Sequence, residues 1–201
     1  MDTRTVARQY GVALRAMLVF TVVLGIGYTA LITGVGQLIT PAKANGSVIT
    51  VDGSAVGSAL IGQSFTTDKG TALPEWFQSR PSAAGDGYDA SASSASNDGP
   101  ENADLITAVA ERKAAIAKLD GVPASSIPAD ALTASASGLD PDISPAYALL
   151  QVRRVAAARR LPVAAVRRLV EAHVSGREAG YLGEQTVDVL ELNVALATLD
   201  R

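Results

Sequence analysis

The most uniform pattern in the chain is an apolar stretch near its start, from Ala16 to Ala42, which contains no charged residue. It is longer than the about 20 residues that a helix needs to cross a bilayer. A helix in a soluble core seldom stays apolar on every face over such a length. The pattern therefore predicts one transmembrane helix over residues 16–42.

A cleaved secretory signal is the alternative interpretation of the same stretch. Basic residues precede it, and Ala42-Lys43-Ala44 has the small-x-small form of a cleavage site. A signal peptide has an apolar region of only about 7–15 residues, however. The length favours an uncleaved anchor.

Basic side chains on either side of the helix predict its orientation. The head before the helix carries three arginines and one aspartate, whereas Lys43 is the one basic residue between the helix and Asp52. Basic residues are enriched on the cytoplasmic side of a span. We therefore expect a cytoplasmic head at 1–15 and an extracytoplasmic domain at 43–201.

One face of the predicted helix is lined with small and polar residues. They recur at every fourth position, as a stripe that drifts slowly around the helix: Thr21, Gly25, Thr29, Thr33 and Gln37. Helices associate in lipid through close packing over small residues and through hydrogen bonds between helices. The stripe suggests a helical partner in the membrane, although such residues also occur in spans that stay alone.

The polar part of the chain begins with a hairpin pattern. Residues 48–51 and 54–61 are short β-type runs separated by Asp52-Gly53, a pair typical of a type I′ turn. The preceding Asn45-Gly46-Ser47 matches a glycosylation sequon, but a turn is the better interpretation so close to the membrane. Residues 63–101 then lack any periodicity, so this segment is expected either to be disordered or to be ordered by a ligand or partner.

Four helices are predicted in the last half of the chain. Their start signals are an Asn cap, a Ser-Pro pair, a proline and an Asp-x-x-Glu capping box, and they cover about 102–119, 144–160, 162–176 and 188–199. With the hairpin, or a small sheet built on it, they predict an α+β fold. The whole chain is then one N-terminal transmembrane helix followed by an α+β domain.

Composition and motifs exclude several kinds of chemistry. The net charge of −3 argues against nucleic acid as a partner, and the absence of cysteine excludes a disulfide. A phosphate-binding P-loop and a Gly-x-Ser-x-Gly nucleophile elbow are both missing. His173 is the only histidine, so we expect an ordinary helix residue there, no metal site and no catalytic residue.

Two features are compatible with an anion. Three arginine pairs, at 153–154, 159–160 and 167–168, lie in predicted helices, where solvated faces are the commoner outcome. The Ser- and Gly-rich loop from Thr133 to Pro141 precedes a helix and offers hydroxyl and N–H groups. A plain capping loop is the favoured interpretation of that loop.

Longer motifs resemble a known family, the C subunits (KdpC) of Kdp potassium-transporting P-type ATPases. They run through nearly the whole chain in the family's order: ANGS at 44–47, GSALIGQSF at 57–65, RPSAAG at 80–85, ASNDGP at 95–100, TASASGLDPDISP at 133–145, QVRRVAAAR at 151–159 and VDVLELNVAL at 187–196. The resemblance implies a non-catalytic accessory subunit in the cell membrane. Its expected partners are a channel-like potassium-binding subunit and a P-type ATPase subunit.

In that family the C subunit is described as a catalytic chaperone that raises the ATPase subunit's affinity for ATP. Carried over to this sequence, the resemblance implies nucleotide contacts at Gln63, Ser135, Ser137, Gly138 and Asp140. The orientation predicted above places them outside the membrane, whereas cellular ATP is inside. The alternative functions are a free-standing anchored binding domain and an anchored hydrolase that depends on His173.

Overall fold

The computed structural model describes residues 3–199, and the chain divides into two compact units after Ser47. The first unit is a continuous helix, α1 (Thr3–Ile39), whose middle portion Thr21–Tyr28 has π-helical hydrogen bonding. No residue of α1 is buried within the protein. A single turn, α2 (Pro41–Ala44), follows the break at Thr40.

The apolar character of α1 agrees with the predicted span, since the helix is long and apolar enough to cross a membrane and none of its residues is buried. The helix extends beyond the predicted stretch at its start, because residues 3–15 continue the same helix. The turn predicted at Asn45-Gly46-Ser47 is confirmed. Asn45 Nδ2 there donates to the Pro41 carbonyl at 2.8 Å.

The second unit begins with the predicted hairpin, formed by β1 (Val48–Val51) and β2 (Ser54–Ser58). Asp52 and Gly53 have φ values of 50° and 80°, as a type I′ turn requires. Ile49 pairs with Gly57 and Thr50 with Ala55, which leaves Val56 as a bulge. The hairpin prediction is confirmed.

The helical half contains α3 (Ala103–Asp120), β3 (Asp142–Ile143), α4 (Pro145–Arg159), α5 (Val163–Ala172), β4 (Val187–Asp188) and α6 (Val189–Leu199). Two short 3₁₀ turns, Ala124–Ser126 and Ala129–Ala131, lie between α3 and β3. The strands β3 and β4 pair antiparallel and bring α6 against the α4–α5 hairpin. The predicted α+β class is confirmed.

Helix starts follow the predicted caps. Asn102 accepts from the Asp104 N–H, Ser144 from the Tyr147 N–H, and Asp188 from the Glu191 N–H. The third predicted helix ends at Ala172 rather than near Gly176, because the chain turns into an extended course in which Ser175 pairs with Thr186. His173 therefore lies just after the helix, and its ring Nδ1 is 2.8 Å from the Leu169 carbonyl.

The core of the domain is built from aliphatic side chains on α4, α5 and α6. The fully buried members include Val152, Val155, Val166, Val170, Leu192 and Leu196. Phe77, from the long irregular segment, is also completely buried among them. The expectation that residues 63–101 are disordered, or ordered by a ligand or partner, is wrong for the part around Phe65, Trp76 and Phe77, because these residues pack on the domain's own core. Residues 89–101 are mostly exposed.

Candidate functional site

The Ser- and Gly-rich loop at 133–141, for which a capping loop was the favoured interpretation, uses its polar groups internally. Ser135 Oγ accepts from the Gly138 N–H at 2.9 Å, and Ser137 Oγ accepts from the Leu139 N–H at 3.1 Å. The Ser137 carbonyl accepts from the Ser94 N–H at 3.0 Å. These bonds make a capping loop that also holds the segment around Ser94.

Asp140 closes this loop with an ion pair. One of its carboxylate oxygens is 2.7 Å from Arg80 Nη1, and the other accepts from the Asp142 N–H at 3.0 Å. Both side chains of the pair keep contact with solvent. Arg80 also donates to the Thr133 carbonyl, so one arginine joins both ends of the loop to the irregular segment.

Tyr88 packs against this pair. Its hydroxyl donates to the Arg80 carbonyl at 2.8 Å. Burial is the main cause that raises the pKa of Tyr88 to about 12, so its phenol stays protonated and acts as a donor. The cluster presents one cation, one carboxylate and the exposed residue Ser137 at the surface, with the Ser137 hydroxyl bonded within the loop.

Two glycines allow the backbones of this cluster to touch. A Cβ at Gly138 would lie 2.7 Å from both the Ala84 nitrogen and the Ser94 oxygen, and the residue has φ +69°. A Cβ at Gly62 would meet the Tyr88 ring and lie 2.7 Å from the Asp140 carbonyl. No larger residue fits either place without a shift of backbone.

The predicted contact residues fall into two groups. Ser135, Ser137, Gly138 and Asp140 lie together in the loop, whereas the side chain of Gln63 turns elsewhere and donates to the Val56 carbonyl at 2.8 Å. Gln63 there lines an apolar cleft of about 260 Å³ between the hairpin and α6. The structure brings four of the five residues together.

A buried polar network, missed by the sequence analysis, fixes the irregular segment. Arg154 donates to Asp120 at 2.7 Å, to the Pro74 and Trp76 carbonyls at 2.7 and 2.8 Å, and to Gln151 at 2.6 Å. The side chains of the Arg154–Asp120 pair are only 5% and 1% exposed. The adjacent arginine pairs in the sequence gave no sign that one member is buried.

Two side-chain amides extend this network to the segment's main chain. Gln151 accepts from the Gln78 N–H and donates to the Gln78 carbonyl, at 2.7 and 3.1 Å. Asn193 bonds both main-chain groups of Phe77 in the same way, at 2.9 and 3.0 Å. Each amide therefore mimics a β-strand partner for one residue of the segment.

The arginines predicted as solvated faces divide into two kinds. Arg153, Arg160, Arg167 and Arg168 are exposed, as expected. Arg154 is buried, and Arg159 lies over the Trp76 ring at 4.1 Å while it donates to the Glu75 carbonyl. The prediction fails for these two because the irregular segment covers their side of α4.

The stripe on α1 lies partly in the π-helical portion. In an α-helix of 3.6 residues per turn, a step of four residues overshoots a full turn by about 40°. In a π-helix the hydrogen bonds reach one residue further, so the same step falls short of a turn. The predicted slow drift of the stripe therefore applies to its α-helical part.

Polar groups of the stripe are bonded within the same unit. Thr33 Oγ1 donates to the Thr29 carbonyl at 2.8 Å, a common arrangement for threonine in a membrane helix. Gln37 and Asn45 form a reciprocal pair of amide hydrogen bonds at 3.2 and 3.0 Å, which closes the turn after the helix. Thr29, Thr33 and Gln37 therefore use their donors within the unit, and this part of the stripe offers mainly a small-residue surface.

A second cleft, of about 710 Å³, lies between α3 and residues 70–81. Its walls include Ala115, Ile116 and Leu119, and its charged residues are Arg112 and Lys118. Tyr147 also lines it and is 3% exposed. Sequence reasoning missed this cleft, because one of its walls belongs to the segment that was expected to be unstructured.

Among residues 3–199, no three His, Asp or Glu side chains lie together in a way that holds a metal ion. The His173 ring bonds the Leu169 carbonyl of the preceding helix, and His173 is distant in sequence from the loop at 133–141. The described part of the chain therefore offers docking surfaces and a bonded loop as its candidate sites.

Comparison with known proteins identifies the family of this chain. The family model KdpC, described as the K+-transporting ATPase c chain, matches residues 10–198. A potassium-transporting ATPase KdpC subunit from Kineococcus radiotolerans is 54% identical over 189 residues, which cover 94% of this chain and 93% of the relative.

Two further relatives carry the same name. The protein from Gemmatimonas aurantiaca is 56% identical over 191 residues, covering 92% of both chains. The protein from Mycobacterium bovis is 51% identical over 193 residues, covering 96% of this chain and 99% of the relative. The chain therefore belongs to the KdpC family, the C subunits of potassium-transporting ATPases.

Proposed function

We propose that this subunit assembles and stabilises a potassium-uptake ATPase by docking through two parts. The stripe on α1 packs against a channel-like potassium-binding subunit within the membrane. The domain that begins at Val48 lies outside and supports the complex there. The observation that carries the proposal is the long apolar helix, in which no described residue is buried, together with its stripe of small and polar residues.

The orientation in this proposal follows from charge. Three arginines precede the apolar stretch, and Lys43 is the one basic residue between that stretch and Asp52. The N-terminus is then cytoplasmic, and the domain faces the side from which potassium enters. Because the chain carries a net charge of −3, the domain mildly favours cations nearby.

Removing the domain tests its share of the function. A chain that ends at Ser47 keeps α1 and the amide-bonded turn. We expect it to insert in the membrane but to give a complex with lower transport and lower potassium-stimulated ATP hydrolysis. The membranes contain the other subunits and the shortened chain in place of the full chain. Unchanged assembly and transport in such membranes would contradict the proposed role of the domain.

A finer proposal concerns ATP. Following the family resemblance, the subunit raises the ATPase subunit's affinity for ATP, and Ser135, Ser137, Gly138 and Asp140 belong to the surface responsible. The exposed residue Ser137 and the partly exposed Arg80–Asp140 pair favour this surface, since both are open to contact with another subunit. Gln63 contributes indirectly, because it holds the hairpin beside the loop.

The orientation makes the effect on ATP an indirect one, transmitted through the assembled complex. We therefore expect Ser137→Ala to raise the KM for ATP of the complex, while the isolated full chain in detergent shows no nucleotide binding of its own. Ser126→Ala is the matched control, because that serine bonds only the Pro123 carbonyl of its own turn. Equal KM values for the two variants and the unmodified complex would refute the finer proposal.

A further inference from the structure

The cleft between α3 and residues 70–81 holds basic side chains that form no ion pair within the described part of the chain. Arg112 and Lys118 line it, and no aspartate or glutamate is among its lining residues. The chain as a whole carries a net charge of −3, so the cleft is locally opposite in sign. Charge complementarity therefore favours an anionic group here.

Arg112 is only partly committed to the fold. One guanidinium nitrogen, Nη1, donates to the Leu132 carbonyl at 2.9 Å. The side chain makes no ion pair among the described residues, whereas Arg80 and Arg154 each face a carboxylate. Its remaining donors are available to a ligand in the cleft.

Tyr147 supplies a second, independent observation. It is 3% exposed, and its hydroxyl makes no hydrogen bond to any residue in the range 3–199. Every fully buried polar side-chain atom of the described chain has a partner, so this hydroxyl must keep contact with the cleft that Tyr147 lines. Burial raises the pKa of Tyr147, which leaves the phenol a neutral donor.

Apolar groups lie beside these donors. Ala115, Ile116 and Leu119 share one face of α3 with Arg112, at spacings of three, four and seven residues. Tyrosine and arginine beside an apolar surface are the residues that most often anchor a protein interface. The cleft is thus suited to a carboxylate on a segment that also carries apolar side chains.

We propose that this cleft binds an acidic segment of a partner subunit in the ATPase complex, with a carboxylate placed between Arg112, Lys118 and the Tyr147 hydroxyl. The inference rests on the proposed function, since it requires the domain to face another subunit outside the membrane. It adds the surface and the chemistry of that contact.

Cysteine labelling tests whether the cleft is covered. The chain has no cysteine, so Ala115→Cys places a single thiol in the cleft, and Ala164→Cys places one on the exposed face of α5 as a control. We expect maleimide labelling at position 115 to be about tenfold slower in the assembled complex than in the isolated chain, as at the water-excluding centre of an interface. Labelling at position 164 should change by less than about twofold, as at a surface outside the contact.

A zero-length carbodiimide crosslink tests the acidic character of the occupant. This reagent couples the Lys118 amine to a carboxylate in direct contact, and we expect the linked peptide to carry an Asp or Glu of another subunit. Lys118→Arg removes the amine and should abolish the crosslink, which identifies position 118 as the nitrogen that reacts. A link to a second copy of this chain, or no link at all, would overturn the proposal.

Tyr147→Phe separates binding from folding. The variant loses only a hydroxyl that bonds nothing in the described chain, so the unfolding midpoint should not fall. Its affinity for the complex that lacks this subunit should fall about ten- to a hundredfold, as expected for loss of a hydrogen bond to a charged group. An unchanged affinity would contradict the assigned role of the hydroxyl.

The outcomes distinguish the two proposals. If the chain fails to co-purify with ATPase subunits, the proposed function is wrong and the inference falls with it. If the complex assembles normally and position 115 labels at the same rate as in the isolated chain, the proposed function stands and the inference alone is overturned.

Discussion

The buried Arg154–Asp120 pair makes a sharp prediction about how the irregular segment is held. Arg154→Leu removes donors to the Pro74 and Trp76 carbonyls and leaves Asp120 buried without its cation. Breaking a buried pair by removing one partner costs about 3–5 kcal/mol. Because both side chains are at most 5% exposed, no reduction for solvent screening applies.

Asp120→Asn and the double variant complete a thermodynamic cycle. Desolvation raises the pKa of Asp120 despite the neighbouring guanidinium, so the carboxylate is costly to leave unpaired. The Asn variant should lose about 1–3 kcal/mol, because Arg154 keeps its carbonyl and Gln151 acceptors. The double variant should lose less than the sum, by about 1 kcal/mol or more.

Intrinsic fluorescence provides the assay. The chain has one tryptophan, Trp76, which lies in the irregular segment with its carbonyl bonded to Arg154 and its ring against Arg159. Urea unfolding of the full chain in mild detergent, followed at this residue, reports the loss of the segment directly. Arg153→Leu is the matched control at an exposed neighbour and should stay within about 0.5 kcal/mol. A loss below about 1 kcal/mol for Arg154→Leu would refute the reasoning.

Two further predictions concern the loop cluster and pH. In urea unfolding, Gly138→Ala should destabilise the domain by about 2–3 kcal/mol more than Gly121→Ala. Both glycines have positive φ, but only a Cβ at position 138 would meet other backbone. Equal losses would argue against close packing of the loop on Ala84. Burial raises the pKa of Asp188 from 3.8 to about 6, so its contribution to stability is present below about pH 4 and is lost as pH rises to about 6. Asp188→Asn keeps the helix cap but has no carboxyl to titrate. Between pH 4 and 6.5 the unfolding free energy of the unmodified chain should therefore fall by about 1–2 kcal/mol more than that of the variant, after a reduction for solvent screening. Parallel pH profiles of the two proteins would contradict the assignment.

Local signals in the sequence predict most of the regular elements. The Asp52-Gly53 turn and the caps at Asn102, Ser144 and Asp188 act within a few residues, so they are visible without tertiary contacts. The apolar stretch is equally local. These signals were sufficient for the α+β class and for the long apolar helix.

The irregular segment was not predictable in the same way. Its order depends on Gln151, Arg154 and Asn193, which are 73 to 116 residues distant from the main-chain groups they bond. Phe77 carries too little apolar area on its own to suggest a buried segment. Because one cleft uses this segment as a wall, the position of Tyr147 beside Arg112 was hidden as well.

The candidate loop shows a third kind of limit. The resemblance to the family brought Ser135, Ser137, Gly138 and Asp140 together, and the structure places them in one loop. The sequence did not show that their hydroxyls and carboxylate already bond the loop itself. Gln63 was grouped with them although its side chain faces the hairpin.

The central claim is that α1 joins the subunit to a partner within the membrane. The most direct measurement is co-purification of tagged variants from mild-detergent membranes, with potassium-stimulated ATP hydrolysis assayed on the product. Gly25→Leu combined with Thr33→Leu changes the stripe, whereas Val35→Leu changes a position about half a turn away on the helix. We expect the stripe variant to bring down at least about tenfold less of the channel-like subunit than the control, since close packing is lost. Equal recovery and equal activity would show that the stripe makes no such contact, and the subunit would then be a separately anchored domain.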